Sequence, residues 1–102
     1  MAISEFRYNK KRKHYSYIFK KVGRKYKNML FTSKPNRKDH LSTKKNIGLC
    51  KHPNPNSVKQ IYVIPVIYYD DLKSFDSKKL NWMFDKNDKR KIKRIKKHKK
   101  KR

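Results

Sequence analysis

Cysteine is almost missing from this chain: Cys50 is the only one in 102 residues, so there is no internal disulfide and no Cys-x-x-Cys pair to open a zinc site. A lone thiol fits a reducing cytoplasm, where the chain is expected to reside. Acidic residues are scarce, with seven Asp or Glu facing 32 Lys or Arg, a formal net charge of +25. Long apolar runs are absent as well. The longest, Ile61 to Tyr69, has about nine residues and contains Pro65, against the roughly 20 that a membrane-spanning helix needs. The opening Met-Ala-Ile-Ser-Glu-Phe-Arg has no stretch like the apolar region of a secretory signal. Neither a membrane span nor export is expected.

Apolar residues make up 34% of the chain and charged ones 38%, a balance that would leave a uniform sequence disordered. This sequence is not uniform. Its 13 aromatic residues lie between Phe6 and Phe84, and the last fifteen residues hold none. The expected organisation is a flexible basic arm at 1–13, a single α+β domain at 14–95 and a basic tail at 96–102.

Within the domain, Tyr15, Tyr17 and Phe19 alternate with Ser16, Ile18 and Lys20, the period of a strand with an aromatic face. Gly23 in Val22-Gly23-Arg24 supplies the positive φ of a three-residue hairpin loop, pairing residues near 15–21 with residues near 25–32. Residues 33–45 read as a long loop and 46–50 as a short strand. His52-Pro53-Asn54-Pro55-Asn56 is a turn, its prolines opposing both helix and strand. Residues 60–68 are the most β-prone, with Pro65 forcing an edge or a bulge. A turn or short helical turn at 70–79 precedes a last strand through Leu80, Trp82 and Phe84. Asp85 then caps a basic helix, with Asp88 in its first turn and only Ile92 and Ile95 to dock it weakly at its beginning. The fold expected is a small antiparallel sheet of four or five strands with that helix.

Charge decides the class of partner. Arg7 to Lys51 holds 16 basic residues and one acid, and residues 86–102 hold 12 basic residues and one Asp. Such a chain gains by displacing counterions from a polyanion, so nucleic acid is the expected partner, RNA slightly preferred, held mainly at phosphates. The candidate contacts are Lys11, Arg12, Lys13, Lys20, Lys21, Arg24, Lys25, Lys27, Arg37, Lys38, Lys44, Lys45, Arg90, Lys93, Arg94 and Lys97. The alternative reading is lysine enrichment from an AT-rich genome. The rings of Tyr15, Tyr17 and Phe19 either stack exposed bases or, in a chain this poor in aliphatics, form the core.

Metal-independent RNA cleavage needs a base for the 2′-hydroxyl, an acid for the leaving oxygen and cations around the phosphate, all available from His, Tyr, Lys and Arg. His14 at the mouth of the hairpin, Thr32, Ser33, Lys34, His40 and Tyr62 are the candidates. Asp70, Asp71 and Asp76 read as turn formers, and Cys50 with His52 lacks two further zinc ligands, so no metal and no cofactor are expected.

The succession His14-Tyr15-Ser16-Tyr17-Ile18-Phe19, Leu30-Phe31-Thr32-Ser33, Asn46-Ile47-x-Leu49, Asn54-Pro55-Asn56, Tyr62-x-x-Pro65, Trp82-x-Phe84 and Asp88 resembles a group of small uncharacterised proteins of bacterial mobile elements over about residues 14–95. More distantly, a basic sheet with a His and a Thr-Ser-Lys loop resembles the RelE-like and barnase-like ribonuclease toxins, without their usual pair of N-terminal helices. That second resemblance implies RNA cleavage by His14, Lys34 and His40, with an acidic antitoxin-like protein as partner. Three readings therefore stand after the sequence: a nucleic-acid-binding protein, a metal-independent endoribonuclease toxin, and a structural component that binds another protein.

Overall fold

The computed structural model describes residues 2–35 and 45–98. It is an α+β fold, an antiparallel sheet of six strands carrying one C-terminal helix. The chain opens on β1 (Ala2–Asn9), which pairs along its length with β2 (His14–Val22). This corrects the expectation of a flexible arm at 1–13. Phe6 and Asn9 lack a regular apolar period, yet both are buried, and their burial against β2 outweighs the charge of the neighbouring turn.

β2 forms the expected hairpin with β3 (Lys25–Thr32). Its loop has two residues rather than three, because Val22 pairs with Lys25 and leaves only Gly23 and Arg24 in the turn. Gly23, at φ 61°, takes the first central position, which fits a type II′ turn. Phe19 is an extra residue in the ladder, since Ile18 faces Asn28 while Lys20 faces Lys27. That step reverses which face each later side chain occupies.

β4 (Ile47–Gly48) and β5 (Tyr62–Val63) are short. β5 and β6 (Tyr68–Asp71) both lie along the free side of β3, β5 against Phe31 and Thr32 and β6 against Lys25 to Asn28. Between them residues 64–67 stand opposite residues 29 and 30, so the segment bulges around Pro65 as a missing N–H requires. The sheet order is β1-β2-β3-β5-β4, with β6 beside β3.

After a short 3₁₀ turn at Leu72–Ser74, the chain runs along the outer edge of β1. Asp76 donates its N–H to Tyr8 (2.8 Å) and Leu80 donates to Phe6 (2.8 Å), which satisfies an edge that would otherwise be open. The expected last strand at 80–84 does not form; this stretch is extended, with Leu80 alone opposite Phe6. Its rings nevertheless enter the core. Phe6 sits 4.9 Å from Phe84, 5.9 Å from Trp82, 5.0 Å from Tyr17 and 6.0 Å from Phe31. Aromatic contacts of this kind supply cohesion where aliphatic side chains are few.

The helix, α1 (Lys86–His98), begins as the sequence indicates: Asp85 Oδ2 accepts the N–H of Asn87 at 3.1 Å. It docks more firmly than two isoleucines suggest, with both Ile92 and Ile95 in the core cluster. Asp88 does more than face the helix dipole. It is fully buried and accepts the N–H of Cys50 (2.7 Å) and of Lys51 (3.0 Å), tying the 50–51 segment to the helix.

A second buried carboxylate holds the other end. Asp70 on β6, 0% exposed, accepts from Asn9 on β1 (3.0 Å), from Asn28 on β3 (3.0 Å), and from Arg12 in the β1–β2 turn at two points, both 2.8 Å. Arg12 also lies over the Tyr68 ring at 4.1 Å. Burial alone would raise the Asp70 pKa, but the bonds from Arg12, Asn28 and Asn9 and the Arg12 charge outweigh it and hold the carboxyl below its usual range.

Removing one partner of such a buried pair strands the others. Asp70→Ala is expected to lower the unfolding free energy by about 3 kcal/mol in urea denaturation, the low end for such pairs. The Arg12 side chain is 27% exposed and can be partly rescued by water. Because the folded pKa is depressed, the carboxylate contributes fully above its unfolded value near 3.9, and the contribution is lost as pH falls through the folded value. Asp70→Asn removes that acid-side loss of stability.

Candidate nucleic-acid interface

The fold engages almost every acid with a specific partner. Of the six described carboxylates, Glu5 pairs with Arg7 and Lys79, Asp70 with Arg12 and Lys11, Asp71 with Lys25, Asp85 with Lys51, and Asp88 with Lys91. Asp76 accepts the backbone N–H of Lys78. The cations left over are therefore not balanced locally.

Among the described residues, seven of the 18 cations that form no ion pair lie on α1. With Asp88, Ile92 and Ile95 facing inward, the helical period puts Lys86, Arg90, Lys93 and Lys97 along the opposite side. None of these four, nor Lys89 or Arg94, forms an ion pair among the described residues. Lys86–Arg90, Lys89–Lys93, Arg90–Arg94 and Lys93–Lys97 are like-charge pairs four residues apart, each costing about 0.2–0.5 kcal/mol in helix stability. Lys96 is different, folding over the Tyr17 and Phe19 rings at 5.5 and 5.2 Å.

The other expected contacts divide. Arg12, Lys11 and Lys25 are paired with carboxylates, and Arg12 in particular is a structural residue rather than a surface cation. Lys21 lies over Tyr26 at 5.7 Å and Lys27 over Tyr69 at 5.5 Å. Lys13, Lys20, Arg24 and Lys45 are exposed and form no ion pair among the described residues. Arg37, Lys38, Lys44 and the expected catalytic His40 lie outside the described residues. Lys86 and Lys89 were not singled out from sequence, although their helical spacing with Arg90 and Lys93 carried the signal.

His14 and Lys34 do come together. Both line a cleft of about 360 Å³ at the open end of the β2–β3 hairpin, with Tyr8, Tyr15, Thr32 and Ser33. The sequence reading placed His14 near residues 32–34 because the hairpin register requires it. It missed the far wall, made of His52, Lys59, Gln60 and Ile61. That wall arises from a fold-back no local pattern reveals: Leu49 donates its N–H to Ile61 at 3.0 Å, and Gln60 Nε2 donates to the Leu49 carbonyl at 2.9 Å. A neighbouring cleft of about 960 Å³ shares His52, Lys59 and Gln60 and runs on to Trp82, Asp85 and Lys86. Lys86 in turn opens the cationic side of α1.

The aromatic question resolves by residue. Tyr17 and Phe19 belong to the core, whereas Tyr15 is 45% exposed on the cleft, supported by Trp82 at 5.0 Å and Tyr8 at 5.1 Å. His14 Nδ1 lies 2.9 Å from the Phe31 carbonyl oxygen. His52 Nδ1 accepts the N–H of Asn54 at 3.0 Å, and its ring meets Trp82 edge-on at 5.3 Å. Burial, then the charge of Lys59, lower the His52 pKa and keep the ring neutral near pH 7. Among the described residues no group of three or more His, Cys, Asp or Glu is placed to hold a metal ion, and no helix is long and apolar enough to cross a membrane.

In an NMR titration His52 is expected to protonate below its ordinary value near 6.5, and Lys59→Ala to move it back upward. As pH falls through that value the unfolded chain takes the proton first, so His52 subtracts stability on acidification. Asp88→Ala, by removing the acceptor for Cys50 and Lys51, is expected to speed amide exchange at those two residues ahead of the β2–β3 amides.

Comparison with protein-family models, with curated proteins and with solved structures finds no match for this chain, so its functional reading rests on its own geometry.

Proposed function

We propose that the protein binds nucleic acid, RNA in preference to DNA, and holds the phosphate backbone along a track that begins at the His14–Lys34 cleft, passes His52 and Lys59, and continues down the outer side of α1. The observation that carries this reading is the cationic side of the helix. Every described acid is engaged elsewhere, and the mutual repulsion of Lys86, Arg90, Lys93 and Lys97 is relieved by a polyanion laid along them. Preference for single strands, and through them for RNA, is supported by Tyr15, whose half-exposed ring offers a stacking surface beside Lys34 and Lys59.

Binding of this kind reads phosphate more than sequence. In fluorescence anisotropy with a labelled single-stranded RNA, affinity is expected to fall steeply with salt. Replacing Lys86, Arg90, Lys93 and Lys97 together by Gln should reduce the slope of log K against log salt by about 0.7 per contact removed on a single strand. All four side chains are exposed, so the fold is retained. An unchanged slope overturns the helix as the phosphate track.

A further inference from the structure

Two histidines face one cleft, and the backbone fixes each in a different tautomer. A carbonyl oxygen only accepts, so the 2.9 Å contact between His14 Nδ1 and Phe31 puts the hydrogen on Nδ1 and leaves the lone pair of the neutral ring on Nε2. A backbone N–H only donates, so the 3.0 Å contact from Asn54 puts the lone pair of His52 on Nδ1 and the hydrogen on Nε2. One ring thus presents a base and the other a donor. Protonating His52 at Nδ1 would break its bond to Asn54, and the burial and Lys59 charge that depress its pKa oppose the same event. Lys34 and Lys59 add two ammonium groups to the walls, and Thr32 and Ser33 add hydroxyls.

We propose that this cleft cleaves single-stranded RNA, with His14 Nε2 as the general base and His52 Nε2–H as a donor to the phosphate. The proposal rests on the reading of the chain as RNA-binding and adds to it a reaction and a site. His14 takes the proton of a 2′-hydroxyl, and the 2′-oxygen forms a bond to phosphorus. The bond from phosphorus to the 5′-oxygen breaks, and that oxygen leaves with a proton from the ammonium of Lys34 or Lys59. The lysine recovers a proton through solvent from protonated His14, so no net charge is left on the protein. The products are a 2′,3′-cyclic phosphate and a 5′-hydroxyl. Charge growing on the phosphate oxygens meets His52 and the remaining ammonium. Tyr15, backed by Trp82, takes the base next to the scissile bond, which selects unpaired nucleotides. The sequence pointed to His14 and Lys34 but set His52 aside as half of an incomplete zinc pair; the structure moves it into the cleft.

The test uses the full chain with an end-labelled single-stranded RNA in excess chelator, beside an all-deoxy strand of the same sequence. RNA cut to cyclic-phosphate ends, with the deoxy strand intact, is the expected result. His14→Gln and His52→Ala, purified in parallel, should each slow cleavage about 100-fold or more while the β2–β3 amides keep their wild-type protection from hydrogen exchange. That protection reports that the variants are folded. If wild type binds an uncleavable 2′-O-methyl strand and leaves RNA intact, the catalytic proposal is overturned and the binding reading stands. Cutting that survives both substitutions overturns the site. Failure to bind any strand at low salt overturns the underlying reading as well.

Discussion

One buried carboxylate organises the sheet. Asp70 receives bonds from β1, from the β1–β2 turn and from β3 while itself belonging to β6, so it closes four parts of the chain onto a single anion. In a molecule of net charge +25, where self-repulsion favours expansion, such an anion is stabilising only because its donors surround it completely. The turn it secures is itself under constraint: Lys13 holds φ 61°, a conformation that residues with a Cβ seldom adopt, and Arg12 next to it is clamped by both Asp70 and Tyr68. Asp88 acts in the same way at the opposite end, joining α1 to the segment that leads into His52.

Spending the acids on structure has an electrostatic consequence. Once Asp70, Asp71, Asp85 and Asp88 are paired, no described carboxylate is left to offset Lys86, Arg90, Lys93 and Lys97 on the outer side of α1. The inner side of the same helix is anchored by Ile92 and Ile95 on an aromatic cluster built around Phe6 and Phe84. Cohesion and repulsion thus lie on opposite sides of one element. That separation lets a chain with so few aliphatic residues bury one side of the helix and leave its cations in solvent.

The cleft is assembled at the end of the β2–β3 ladder, where the strands stop and their last groups are free. His14 closes the ladder by bonding to Phe31, and the Pro-rich 52–56 turn is brought across from it by the Leu49–Ile61 pairing. The two rings are oriented by backbone groups rather than by other side chains, so their tautomers follow directly from the fold. Trp82, delivered by the extended segment after the 3₁₀ turn, supports both Tyr15 and His52 from behind.

Local pattern determined a good deal. The period-two run from Tyr15 to Phe19, the turn at Gly23, the punctuation at Pro65 and the Asp85 cap each act within a few residues, and each has its counterpart in the structure. Pairing of β1 with β2, the irregular edge along β1, the burial of Arg12 and the arrival of His52 beside His14 were decided only by tertiary contacts. The residues between Ala2 and Lys13 look like a solvated arm because their neighbours in sequence are charged. Residues 2–9 become a strand and 10–13 a turn because Phe6 is buried against rings from distant segments and Asp70, far along the chain, supplies the anion that Arg12 and Asn9 require. Linear pattern records what a residue prefers next to its neighbours, whereas burial of a charge depends on a partner whose distance along the chain carries no period.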